Sequence, residues 1–116
     1  MRVYHYPNCS TCKKALRYLR ERGHEPTLTD IVKQPPSRDE LEQIWRASGL
    51  PLRRFFNTSG QSYRGGGFKE RLPQMSESQQ LDALAADGKL IRRPLLVAQG
   101  IALVGFKTPE WDAALT

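Results

Sequence analysis

Hydrophobic and polar positions change period several times along this chain, and each change predicts a new kind of element. Arg2-Val3-Tyr4-His5-Tyr6 alternates β-branched and aromatic residues with polar ones, the pattern of a short strand, and Pro7 stops it. From Cys12 onward Ala15, Leu16 and Leu19 recur at helical spacing, while Lys13, Arg17 and Arg20 fall on another face. Gly23 supplies the helix stop, and Pro26-Thr27-Leu28-Thr29-Asp30-Ile31 predicts a second strand. Two strands joined by a helix make a parallel βαβ unit.

The middle of the chain reads as helical. Ser37-Arg38-Asp39-Glu40 is a capping box, in which Ser37 and Glu40 satisfy each other's free backbone donors. Leu41, Ile44 and Trp45 form the buried stripe of the helix that follows, and Gly49 and Pro51 mark its end. Arg53 to Gly67 is less regular, and Ser62-Tyr63-Arg64-Gly65-Gly66-Gly67 is expected to be a mobile turn whose glycines lack phosphate-loop spacing. Ser76 and Gln79 form a second capping box, opening a helix through Leu81 and Leu84 to Gly88. The last third returns to strands: Leu95-Leu96-Val97 and Ile101-Ala102-Leu103-Val104 form a hairpin around Gln99-Gly100. Thr108-Pro109-Glu110 then starts a final helix, with Pro109 where a missing N–H costs least. The order is βαβ, several helices, then ββα.

With 116 residues the chain is expected to form one domain spanning 1–116, with a helical insertion over about 36–88. No window approaches the roughly 20 apolar residues of a membrane span, and the N-terminal residues lack the apolar stretch of a signal peptide, so a cytoplasmic location is expected. The net charge of +6 would suit nucleic acid, but acidic residues are interspersed with the basic ones and no DNA-reading motif is present. Direct nucleic-acid binding is therefore not the expected function.

Two cysteines alone are present, in the stretch Cys9-Ser10-Thr11-Cys12. A reducing compartment disfavours a structural disulfide. Tetrahedral zinc needs two more ligands, and His5 and His24 lack paired spacing, so no metal is expected. At the start of a helix, Cys9 meets unpaired backbone N–H groups and the positive end of the macrodipole, with Lys13 and Lys14 close in sequence. All of these favour the thiolate, which is the nucleophile. Cys12, three residues on, lies inside the helix and is placed to resolve a mixed disulfide made by Cys9. The alternative is that Cys12 merely fills the stripe formed with Leu16 and Leu19. His5, Trp45 and Trp111 read as packing residues before they read as ligands.

Three segments carry a family resemblance: Tyr4-His5-Tyr6-Pro7-Asn8-Cys9-Ser10-Thr11-Cys12-Lys13-Lys14-Ala15, Pro35-Pro36-Ser37-Arg38-Asp39-Glu40-Leu41, and Arg92-Arg93-Pro94-Leu95-Leu96. With these the chain resembles the arsenate reductase (ArsC) and Spx family, most closely its short ArsC-like branch. The resemblance implies an α/β, thioredoxin-like fold: a central mixed four-stranded sheet, βαβ then ββα, with an all-helical insertion between the halves. It implies Cys9 as nucleophile, Arg93 as an arginine holding an oxyanion beside it, and Pro94 as a cis-proline facing the thiol. Ser10, Thr11 and Asn57 are the remaining candidates for substrate contacts. Arsenate reductases of the family carry two further arginines, where this chain reads Phe56-Asn57-Thr58-Ser59 and Val104-Gly105-Phe106. Loss of two cationic donors is expected to weaken arsenate stabilisation.

The expected activity is thus thiol-dependent reduction of an anionic or glutathione-type substrate. Cys9 attacks and Cys12 resolves, with glutathione or a glutaredoxin- or thioredoxin-type protein as reductant and no bound cofactor. The competing reading is an Spx-like redox-sensing regulator that binds the RNA polymerase α subunit. A monomer is expected in either case.

Overall fold

The computed structural model describes residues 1–115. Strands β1 (Arg2–His5), β2 (Thr27–Asp30), β3 (Leu95–Ala98) and β4 (Ile101–Val104) form one sheet in the order β2-β1-β3-β4. β1 and β2 run parallel, with Val3 opposite Leu28, and helix α1 (Ser10–Glu21) makes the crossover between them. β3 pairs antiparallel with β1 and with β4. The mixed sheet and its flanking helices have the thioredoxin-like arrangement expected of the sequence.

Side chains alternate across a strand, so neighbouring residues in β1 and β3 face opposite layers. Val3 and its partner Leu96 point to one face, where Ala15, Leu16 and Leu19 of α1 meet Trp111 of the last helix, α6 (Thr108–Leu115). Tyr4 and its partner Leu95 point to the other face and join the core of the central helices. That core holds Leu41 and Ile44 of α2 (Arg38–Ser48) together with Leu81 and Leu84 of α5 (Glu77–Ala86). Fully burying each such aliphatic side chain contributes about 1.5–3 kcal/mol, so both faces are needed to hold the sheet.

Both capping boxes form as the sequence requires, Ser37 with Glu40 and Ser76 with Gln79. The stretch expected to be a mobile turn is ordered instead. Gln61–Gly65 forms a short helix, α3, followed by α4 (Phe68–Arg71). The cause is aromatic packing, since Tyr63 stacks on Phe68 at 6.1 Å and both rings lie against buried Phe56. Trp45, placed by its spacing in the buried stripe, is only half-buried, and its indole N–H donates to the Leu50 carbonyl at 2.8 Å.

The insertion is tied to the sheet by backbone as well as by side chains. Phe56 and Ile91 make an isolated antiparallel bridge, with Asn57 N–H donating to Leu90 O at 2.8 Å and Arg92 N–H donating to Phe55 O at 2.7 Å. The expected all-helical insertion therefore includes one extended crossing, and it leads directly to Arg92, Arg93 and β3. Gly88 is buried under the same region. A Cβ there would stand 1.9 Å from the Ile31 carbonyl oxygen, a closeness only glycine allows.

Candidate active site

The turn between β1 and α1 delivers Cys9 to the tip of the helix. Cys9 N–H donates to Tyr6 O at 3.0 Å, and the Cys9 carbonyl accepts from Lys13 N–H at 3.1 Å, the first bond of the helix. Cys9 is the N-cap residue, in extended conformation, and no acidic side chain occupies the first turn. Its sulfur thus meets the free N–H groups of the helix without a competing negative charge.

Partial burial by itself pushes the Cys9 thiol up. The backbone N–H of Cys12, the Cys12 thiol, the N–H of Thr11 and the charge of Arg93 act in the other direction, and together they bring it below its ordinary value. Lys13 and Lys14 are not among the causes. Both are exposed side chains, and their charge is spent in water.

Cys12 behaves oppositely. Burial is the largest effect and the thiol is pushed up to about 12, with the adjacent Cys9 sulfur adding to the rise. The Tyr6 N–H, 3.5 Å from the Cys12 sulfur, and Arg93 oppose this without reversing it. The two sulfurs are reduced, and their shifts run in opposite directions: the surroundings favour the thiolate at Cys9 and the thiol at Cys12 relative to an ordinary cysteine.

Cys9 opens onto a cleft of about 320 Å³. Thr11, Asn57 and Thr58 line it beside four cationic side chains, Arg54, Arg92, Arg93 and Lys107, and no carboxylate lines it. Among the described residues, none of these four cations pairs with a carboxylate within 4.0 Å. Arg93 is held from two sides, with its guanidinium carbon 5.0 Å from the centre of the Tyr6 ring and its Nη1 donating to Lys89 O at 3.3 Å. The Arg93–Pro94 peptide is cis, and the Pro94 carbonyl accepts from Gly105 N–H at 2.9 Å. Gly105 has a φ of +71°, and a Cβ on it would lie 3.1 Å from Arg92 Nε. The site therefore needs glycine at 105 for the turn and for the place of Arg92.

A family model described as the ArsC family matches residues 4–114. The chain belongs to the ArsC family. It is 48% identical over 109 residues to the uncharacterized protein YusI of Bacillus subtilis, covering 94% of this chain and 92% of that one. It is 38% identical over 96 residues to an arsenate reductase of Rhizobium meliloti, covering 83% of this chain and 67% of the relative. An ArsC-family related protein from Bacteroides fragilis superposes with a TM-score of 0.93 at 44% identity, over 96% of this chain and 93% of its own.

In this ArsC-family chain the cleft gathers four of the residues expected from sequence: Cys9, Thr11, Asn57 and Arg93. Cys12 sits buried behind Cys9, Pro94 contributes its buried ring and its carbonyl, and Ser10 is exposed outside the cleft lining. Asn57 turns its side-chain oxygen toward Ser59, accepting its hydroxyl at 3.2 Å. Three further cations, Arg54, Arg92 and Lys107, line the cleft from positions outside Phe56–Ser59 and Val104–Phe106, and the sequence reading did not assign them to the site. Arg92 adjoins Arg93 in the sequence. The available signal for the other two was their position, Arg54 three residues before Asn57 and Lys107 two after Gly105. Among the described residues, no helix is long and apolar enough to cross a membrane.

Proposed function

We propose that this chain is a thiol-dependent reductase that acts on an anionic disulfide or glutathione-type adduct. The observation that carries this reading is the unequal pair of thiols, one lowered and opening onto a cleft lined by four cations, the other raised and buried behind it. Cys9 thiolate attacks one sulfur of a disulfide, forms a mixed disulfide and expels the other half as its thiolate. Cys12 then attacks the Cys9 sulfur, and its proton goes to the departing second thiolate. Per turnover, one substrate disulfide becomes two thiols and the protein dithiol becomes the Cys9–Cys12 disulfide. An external thiol, glutathione or a thioredoxin- or glutaredoxin-type protein, supplies the two electrons that restore it.

Arg93 has the geometry to orient the anionic part of the substrate beside Cys9, since its planar fork of donors suits carboxylate and other oxyanions. Disulfides are favoured over arsenate because Cys12 gives the protein its own resolving thiol. The test is steady-state turnover of hydroxyethyl disulfide, glutathione disulfide, a glutathionylated peptide and arsenate, with thioredoxin or glutathione as reductant. Turnover of at least one disulfide is expected and is abolished in Cys9→Ser, and Cys12→Ser mixed with a disulfide in the absence of reductant should stop at a Cys9 mixed disulfide. Absence of turnover with every substrate would overturn the proposal.

A further inference from the structure

Next to the Cys9 cleft lies a larger cavity of about 720 Å³. Arg54, Phe56, Thr58 and Arg92 line both spaces, so the two guanidinium groups stand where the spaces meet. The volume falls in the range that holds a small-molecule ligand, roughly 300–1,000 Å³. The Cys9 cleft, at about 320 Å³, is less than half that volume, so a bulkier substituent on the leaving side has the larger cavity beside it.

The walls of that cavity say what kind of substituent fits. Arg53 and Lys69 add two cations to Arg54 and Arg92, against a single acid, Glu77. None of these four cations pairs with a carboxylate within 4.0 Å among the described residues. Alongside them stand ring and apolar surfaces from Trp45, Tyr63, Leu72 and Met75. The Trp45 N–H is already used by Leu50 O, so what Trp45 offers the cavity is ring surface. Gln80 also lines the cavity, with its Nε2 donating to Met75 O at 3.1 Å and its sealed Oε1 left without a partner.

We propose that this cavity is a binding subsite for the non-reacting part of the substrate disulfide, and that this part is a multiply anionic thiol carrying a flat ring, as in a nucleotide-bearing thiol. Guanidinium forks match phosphate or carboxylate oxygens, and aromatic walls match a planar ring. The reductive use of the subsite rests on the reductase reading above; its binding chemistry does not.

Coenzyme A disulfide is the kinetic probe, against glutathione disulfide, which is anionic but ring-free, and hydroxyethyl disulfide, which is neutral. The ratio of kcat/KM for coenzyme A disulfide to that for hydroxyethyl disulfide should fall about tenfold in Arg53→Gln/Lys69→Gln. It should also fall as salt is raised, since partly exposed charges are screened. Both substituted side chains are exposed, so folding is not at stake. Binding is measured independently by Trp45 fluorescence with coenzyme A in the Cys9→Ser protein, where fully buried Trp111 gives a constant background. Quenching that saturates and weakens in the double variant supports the subsite even if no disulfide turns over. Equal kcat/KM for all three disulfides, equal use of glutathione and coenzyme A disulfides, or no saturable quenching would overturn the subsite. Reduction of hydroxyethyl disulfide in the same experiment would leave the reductase standing.

Discussion

Alkylation of the reduced protein by iodoacetamide, followed at each cysteine by mass spectrometry across pH, reads the asymmetry of the two thiols directly. Raising the Cys12 thiol from 9.0 to about 12 cuts its thiolate fraction at neutral pH by about a thousandfold relative to an ordinary cysteine. A more basic thiolate is intrinsically more reactive, and a Brønsted slope of roughly 0.4–0.5 over three units returns about twentyfold of that. Since Cys9 lies below its ordinary value, Cys9 should still be modified at least about fiftyfold faster than Cys12 at pH 7, before the burial of Cys12 widens the gap. The midpoint of the Cys9 profile should rise in both Cys12→Ala and Arg93→Gln. The rise should be larger in Cys12→Ala, because the Cys12 thiol lowers Cys9 more than Arg93 does. Rates within tenfold of each other, or a wild-type Cys9 midpoint at the ordinary cysteine value, would refute the reasoning.

The same shifts predict how stability varies with pH. Cys12 is raised in the folded chain, so its contribution is complete below the ordinary thiol value and is lost as pH climbs toward about 12; melting curves of wild type and Cys12→Ala should converge over that range. Cys9 is lowered, so its contribution is present above the ordinary value and is lost as pH falls through the lowered one, and the advantage over Cys9→Ser should shrink in that direction. Gly88→Ala should cost about 3 kcal/mol or more in urea unfolding, because its Cβ would meet the Ile31 carbonyl and Val32 Cα, backbone atoms that cannot step aside. A loss below about 1 kcal/mol would show that the segment shifts freely. Gly105→Ala should cost about 1–2 kcal/mol for its left-handed backbone and should displace Arg92, lowering kcat/KM for glutathione disulfide more than for hydroxyethyl disulfide; equal losses would count against Arg92 acting on anions.

Everything encoded over a few residues was legible in the sequence. Alternation in Arg2–His5, helical spacing from Ala15 to Leu19 and two capping boxes specify elements, because strand and helix periods are local and caps bond within one turn. Cys9 and Cys12 belong to this class, since both lie within one turn of a helix start. Nearness in sequence misled where it was taken for nearness in space: Lys13 and Lys14 follow the dithiol directly but point to water, whereas Arg93, far along the chain, reaches Cys9. Local glycine content also misjudged Ser62–Gly67, which three aromatic rings from different segments hold in place. The cationic cleft was decided only in three dimensions. Arg54, Arg92 and Lys107 come from three separate segments, brought together by the Phe56–Ile91 bridge and by the Gly105 turn bonded to Pro94. A one-dimensional pattern records which side of an element is apolar, while the meeting of distant loops depends on strand register and backbone closure, which no local period encodes.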